Sequence, residues 1–307
     1  MTNKTYLILG ANGFIGSHLV DSFARQDGVT VRAFDRFSNE PQFHDQQNVE
    51  VCKGDIFNED DIQRALEGVD YVIHSFSATT PFTSDNNPFL DITDNVENSV
   101  KLFELCTKAG VKKIGFISSG GAVYGTAAEK GIVSESDAPF PVSPYGIGKL
   151  AIEHYLEYFK RKNGLDYIVY RLTNPYGPRQ LMKKSQGVIP AFIHNIEQDE
   201  PITVYGDGTT TRDFIYIEDA TKMIVDSFEK PNRHSVYNIG SGRETSLNQI
   251  LDSLKVLIDH KDIEINYTDA PKTFLSKTQV STDRYDNEFG KPVLTDLHEG
   301  LRKTIAE

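Results

Sequence analysis

Residues 10–16, Gly10-Ala11-Asn12-Gly13-Phe14-Ile15-Gly16, directly follow a hydrophobic strand-like run and open an amphipathic stretch. Three glycines at this spacing permit a tight turn, let a pyrophosphate approach the backbone and allow a helix to pack closely on a strand. The helix N-terminus favours the negative charge. Such spacing recurs by chance in roughly one chain in ten, so its neighbours decide its meaning. The next strand ends at Asp35, about where a carboxylate accepts hydrogen bonds from an adenosine ribose. A carboxylate there repels a 2′-phosphate, which makes NAD the expected dinucleotide rather than NADP. Arg36, next to it, is the one residue that speaks the other way. Asp55, at the end of the third strand, is placed to meet the adenine amine, with Ile56 beside it. Phe76 and Ser77, just past the fourth strand, pass under the cofactor.

Outward from this turn, short β-branched runs alternate with amphipathic stretches: Tyr6 to Gly10, Phe14 to Gln26, Val29 to Asp35, Val49 to Ile56, Asp61 to Glu67 and Asp70 to Ser75. This is the βαβ pattern of a parallel, doubly wound Rossmann-type sheet. Asn58 is the expected N-cap of the helix that ends before Gly68. A long helix is expected from Pro88 to Ala109, then a strand Lys113 to Ser119, a helix Pro144 to Asn163 and a strand Tyr167 to Leu172. Beyond Asn174 the alternation loosens into short segments punctuated by Pro, Gly and Asp. The expected α/β organisation is therefore a dinucleotide-binding domain over residues 1–173 and, over 174–307, mostly a smaller substrate-binding lobe, with later segments crossing back to the main sheet.

The 307-residue chain is 38% hydrophobic and 25% charged, an ordinary globular composition. Its formal net charge of −12 repels nucleic acid and anionic membrane, so neither is an expected partner. No apolar run approaches the roughly 20 residues that cross a bilayer, and the start has no signal-peptide profile. The simplest location is the cytosol. Cys52 and Cys106 read as small buried hydrophobes, so neither a disulfide framework nor a metal site is implied.

Tyr145-Gly146-Ile147-Gly148-Lys149 places a tyrosine and a lysine on one face of a helix. A phenol ionises near pH 10, and a neighbouring ammonium with a positive nicotinamide favours phenolate. A shift of roughly three units corresponds to about 4 kcal/mol of differential stabilisation. The preceding strand ends in Ser118-Ser119 and continues Gly120-Gly121-Ala122-Val123-Tyr124-Gly125, which would hold hydroxyl donors near the nicotinamide.

Together with Gly54-Asp55, Arg171-Leu172-Thr173-Asn174-Pro175-Tyr176-Gly177 and Arg212-Asp213-Phe214-Ile215-Tyr216-Ile217-Glu218-Asp219, these parts resemble the extended short-chain dehydrogenase/reductase family, especially its UDP-galactose 4-epimerase-like branch. The resemblance implies Tyr145 as the base and Lys149 as the residue that holds the cofactor ribose and depresses the tyrosine. It implies cofactor contacts from Ser118 and Asn95. It also implies that Asn174, Val188, Thr203, Tyr205 and Arg212 line the nucleotide-diphosphate part of a sugar substrate. Two departures stand out. The family's Ser or Thr falls at Gly120, so Ser119 is taken as the donor that meets the sugar, with Ser118 or Thr126 as alternatives. The family's late diphosphate Arg falls at Thr273, so Lys272 is the expected substitute. The position that often limits pocket size as a Tyr falls at Val280, which would leave room for an N-acetyl group.

The implied reaction is epimerisation through a transient 4-ketone. A 4,6-dehydratase is disfavoured because its usual Asp-Glu pair is replaced by Gly121-Ala122. The closest rival is a 4-ketoreductase of a 4-keto-6-deoxy nucleotide sugar, against which Asp35 weighs. A non-catalytic NAD-sensing protein would not need both Tyr145 and Lys149. Family members pair through a four-helix bundle, which implies a homodimer in which Tyr155, Leu156, Tyr158 and Phe159 supply apolar area unless they are core.

Overall fold

The computed structural model describes residues 3–44, 46–180, 187–258, 263–269 and 277–306. In the first half, β1 (Lys4–Leu9), α1 (Phe14–Ala24), β2 (Val29–Asp35), β3 (Val49–Lys53), α2 (Glu59–Leu66) and β4 (Tyr71–His74) are followed by α3 (Pro81–Asn86). A π-helical segment (Asp91–Glu97) then leads into α4 (Asn98–Ala109), β5 (Lys113–Ser119), α5 (Pro144–Asn163) and β6 (Asp166–Leu172). The second half supplies β7 (Asn174–Tyr176), α6 (Val188–Glu197), β8 (Ile202–Tyr205), β9 (Thr211–Arg212), β10 (Phe214–Tyr216), α7 (Ile217–Phe228) and β11 (Val236–Ile239). It ends with β12 (Thr245–Ser246), α8 (Leu247–Ile258), β13 (Ile265–Thr268), β14 (Lys277–Thr278), α9 (Asp283–Phe289) and α10 (Leu297–Ile305).

Seven strands form one parallel sheet in the order β11-β6-β5-β4-β1-β2-β3. The chain winds outward in both directions from β1, the doubly wound topology whose ligand crevice lies beyond the strand carboxyl ends where the order reverses. From Tyr6 onward β1 is apolar at every residue, because Tyr6 and Ile8 enter the core under α1 and α7 while Leu7 and Leu9 enter the one under α2, α4 and α5. A third core joins α6, β8, α8 and α10 into the smaller C-terminal lobe. β11, late in the chain, returns to the edge of the main sheet beside β6. Among the described residues no helix is long and apolar enough to cross a membrane.

Asn58 caps α2, its side chain accepting from the amides of Asp60 and Asp61. The expected Pro88 to Ala109 helix is not one uninterrupted α-helix. Its first part is π-helical, and the wider turn lets Asp91 and Asn95 both point inward. Cys106 is buried, whereas Cys52 is only half-buried.

Under α5 lies a buried ion pair. Arg171 on β6 donates through Nη2 to Glu153 Oε2 at 2.8 Å, both side chains are about nine-tenths or more buried, and Ser118 donates to the same carboxylate. The Arg171 guanidinium also covers the Tyr124 ring at 4.8 Å from its centroid. Glu153→Ala leaves a buried guanidinium unpaired, so an unfolding free energy lower by about 3–5 kcal/mol is expected. A urea melt with an earlier midpoint and an unchanged slope is the measurement.

Candidate active site

The glycine turn is a cradle that side chains would fill. Gly10 has φ +78°, and a Cβ there would lie 3.0 Å from the Phe76 Cα; one on Gly16 would come within 1.9 Å of the Gly10 carbonyl oxygen. The turn is tied to β2 by the Gly10 and Ala11 amides, which both donate to Phe34 O. Asp35 Oδ2 accepts from the Asn12 amide at 3.0 Å, and its Oδ1 accepts from the Arg36 amide. The Asn12 side chain in turn fastens the following loop at Glu40 and Gln42.

From this turn a cleft of about 1340 Å³ runs across the strand ends into the second lobe. Single-ligand sites occupy roughly 300–1,000 Å³, so the space suits two nucleotide-sized ligands better than one. Gly10, Asn12, Gly13, Phe14, Ile15, Gly16, Asp35, Arg36, Asp55, Ile56, Phe76 and Ser77 all border it, as do Asn174, Val188, Thr203, Tyr205 and Arg212 at the other end. Asp55 also holds its own turn, with Oδ1 accepting from the Phe57 amide at 3.0 Å. Asp213 and Asp219 have other hydrogen-bond partners than Arg212: the first accepts from Ser241 and Gly242, the second from Thr295. Lys272 and Thr273 lie outside the described residues.

α5 begins with Ser143 as N-cap, accepting from the Gly146 amide, and Pro144 in the first turn. Its two early glycines permit close packing on both sides. A Cβ on Gly146 would stand 2.7 Å from Ala122 O, and one on Gly148 would stand 3.4 Å from the Asp91 Cβ. The Tyr145 phenol and the Ser119 hydroxyl lie together on the cleft wall. Lys149 Nζ lies 5.6 Å from the Tyr145 ring centroid, 4.9 Å from that of Phe116, and donates to Ile117 O at 3.0 Å.

The electrostatics differ from the expectation that Lys149 draws the phenol down. Burial, with the Asp91 carboxylate adding to it, pushes Tyr145 up to about 12, against the nearby Ser119 hydroxyl. Burial pulls Lys149 down to about 8, against the charges of Asp91 and Glu153. Left to the protein's own groups, the tyrosine is a neutral phenol at pH 7.

Several other expectations are corrected. Asn95 does not border the cleft: its Oδ1 accepts from the Ala78 amide at 2.8 Å and its Nδ2 donates to Thr79 and Asp91, so it shapes the cleft floor from behind. The Ser118 hydroxyl donates to Glu153, which removes it as an alternative donor to the sugar, while the residue itself borders the cleft. Thr126 is exposed and outside the cleft. No side chain fits at Gly120, where a Cβ would meet Arg171 O at 2.9 Å; Ser119 is the hydroxyl beside the tyrosine. Val280 is buried against Val123, Tyr124 and Val133, not in the cleft, so its size does not set the pocket. Thr278, two residues earlier on β14, borders the cleft instead. Leu156 and Phe159 are core, while Tyr155 and Tyr158 stay exposed. Arg179, Gln180 and Thr79, which line the cleft, were not read from the sequence, since no spacing rule marks them.

A sequence model of the NAD dependent epimerase/dehydratase family matches residues 6–240. The chain belongs to that family. A UDP-glucose 4-epimerase of Mycolicibacterium smegmatis is 31% identical over 97% of this chain and 96% of its own length. A dTDP-4-dehydro-6-deoxyglucose reductase of Escherichia coli is 32% identical over 76% of this chain and 73% of its own. In three dimensions, the UDP-glucose 4-epimerase of Thermotoga maritima, solved with UDP-glucose, superposes with a TM-score of 0.91 at 33% identity, covering 98% of this chain and 97% of that one. Solved structural neighbours hold NAD, which is the cofactor of this NAD dependent epimerase/dehydratase, and the glycine cradle with Asp35 fits it.

Proposed function

We propose that this enzyme is an NAD-dependent epimerase of a nucleotide-diphosphate sugar, inverting C4 through a transient 4-keto sugar. The observation that carries the reading is a tyrosine set beside Ser119 and backed by Lys149 on the wall of a cleft that continues into a second ligand-sized arm. In this reading Gly10 to Gly16, Asp35, Arg36, Asp55, Ile56, Phe76 and Ser77 hold the cofactor, so residues 1–173 serve it and 174–307 mostly serve the sugar nucleotide. The chemistry NAD supplies when bound is reversible storage of the C4 hydride.

As a phenolate, which the positive nicotinamide of bound NAD would favour over the neutral form set by the protein's own groups, Tyr145 Oη takes the C4 hydroxyl proton and later returns it, so no net proton is released. Ser119 orients that hydroxyl, and Lys149 contributes positive charge to the phenol's surroundings. Arg212 suits the diphosphate because a delocalised, fork-shaped cation binds it bidentately; Asn174, Val188, Thr203 and Tyr205 flank it. Gly121 and Ala122 leave the sugar end without long anchoring side chains, which suits a ketose that must turn over.

Similarity to a dTDP-4-dehydro-6-deoxyglucose reductase favours one alternative, reduction of a 4-keto-6-deoxy nucleotide sugar. Incubation with a panel of UDP- and dTDP-sugars, without added cofactor and with NMR of the products, separates the two. Epimers formed with tightly held NAD support the proposal; turnover only when NADPH is supplied and consumed overturns it.

The proposal includes a homodimer. Ile92 on the π-helical segment and Ile147, Tyr155 and Tyr158 on α5 are apolar yet at least two-fifths exposed, and pairing two copies would cover them. Tyr155→Glu with Tyr158→Glu is expected to convert a dimer to a monomer by light scattering.

A further inference from the structure

Asp91 has no part in the proposed chemistry, yet it is 2% exposed and lies directly behind it. Its Oδ1 accepts from Thr79 Oγ1 at 2.6 Å and Asn95 Nδ2 at 3.0 Å, while its Oδ2 has no hydrogen-bond partner. Among the described residues it is in no ion pair within 4.0 Å. A buried carboxylate left half-satisfied is unfavourable unless something nearby makes use of its charge. Its neighbour on α5 is Gly148, between Tyr145 and Lys149. The missing Cβ lets the carboxylate stand against that helix, with Oδ1 only 3.5 Å from where the Cβ would be. The π-helical segment is what aims Asp91 and Asn95 together at the loop behind Ser77 and Thr79.

We propose that Asp91 is a positioning residue for the Tyr145–Lys149 pair, its carboxylate setting the field felt by both the phenol and the ammonium while its hydrogen bonds hold the loop that floors the cleft. The assignment rests on the epimerase reading only for its kinetic consequence. Asp91 opposes ionisation of Tyr145 and opposes deprotonation of Lys149, so removing its charge makes both protons easier to lose. The other titratable groups around the pair are Glu153 on α5, which acts on Lys149 in the same sense as Asp91, and Asp85 on α3 at the cleft rim. His74 on β4 is held near 3 by burial and by Lys149, and so is neutral at working pH.

The experiment follows the Tyr145 resonance of ring-labelled holoenzyme by NMR, assigned by its loss in Tyr145→Phe, through a pH titration. Asp91→Asn is expected to lower the phenol midpoint by roughly one pH unit. Asp91→Ser, smaller and also uncharged, moves it the same way. Thr79→Val, which removes one hydrogen bond but keeps the charge, leaves it in place. In turnover, both limbs of the pH profile of Asp91→Asn shift to lower pH. An unmoved midpoint in Asp91→Asn, or an equal movement in Thr79→Val, overturns the proposal. If no nucleotide sugar is turned over by the parent enzyme, the epimerase reading fails while the titration still decides the role of Asp91.

Discussion

Tyr145→Phe is expected to lower kcat by about 10²–10⁴-fold, the usual contribution of a positioned proton-transfer group, equivalent to about 3–5 kcal/mol of barrier. The substitution removes one oxygen, the one beside Ser119, and keeps the ring that packs beside Lys149. Bound NAD per chain should stay at its original value, because the glycine cradle and Asp35 lie at the other end of the cofactor arm. In the unsubstituted enzyme the alkaline side of the rate profile should fall as Lys149, held down to about 8 by burial, loses its proton with rising pH. Product NMR on the active nucleotide sugar, with NAD released by denaturation and counted, checks both points. Retention of more than about a tenth of the parent rate would remove Tyr145 from its role.

The second large effect belongs to Gly16→Ala. The new Cβ would stand 1.9 Å from Gly10 O and 2.7 Å from Gly10 C, so α1 and the turn must move apart, and neither is a flexible side chain. Overpacking of this kind costs about 1–3 kcal/mol of stability, and here it also distorts the surface that meets the pyrophosphate. The expected result is loss of copurifying NAD together with a lower melting temperature. Gly28→Ala supplies the comparison: nothing lies within 4 Å of its Cβ, but φ is +71°, so it should weaken folding slightly and leave NAD content alone. Equal NAD content in Gly16→Ala and the parent would show that the cradle is not where the dinucleotide sits.

Much of the first half was legible because its signals are local. A strand buried on both faces is apolar throughout, a glycine turn is written in consecutive residues, and the start of α5 is marked by Ser143 and Pro144 at its cap. The pairing of Tyr145 with Lys149 follows from helical spacing alone. The second half was harder: α6, α7, β11 and α10 belong to short, interrupted segments whose partners are distant in the chain, as when β11 pairs with β6.

By itself, the sequence determined the doubly wound sheet, the dinucleotide turn and the tyrosine–lysine pair, each an arrangement of neighbours within one or two turns or strands. Only the tertiary structure decided that Ser118 belongs to Glu153, that Asn95 works from behind the cleft and that Thr278 rather than Val280 borders it. It also decided the charge balance, since burial and Asp91 hold the phenol protonated despite the lysine one turn away. The physical reason is that hydrogen-bond partnership and desolvation depend on groups brought together from separate elements, and spacing along one element carries no record of them.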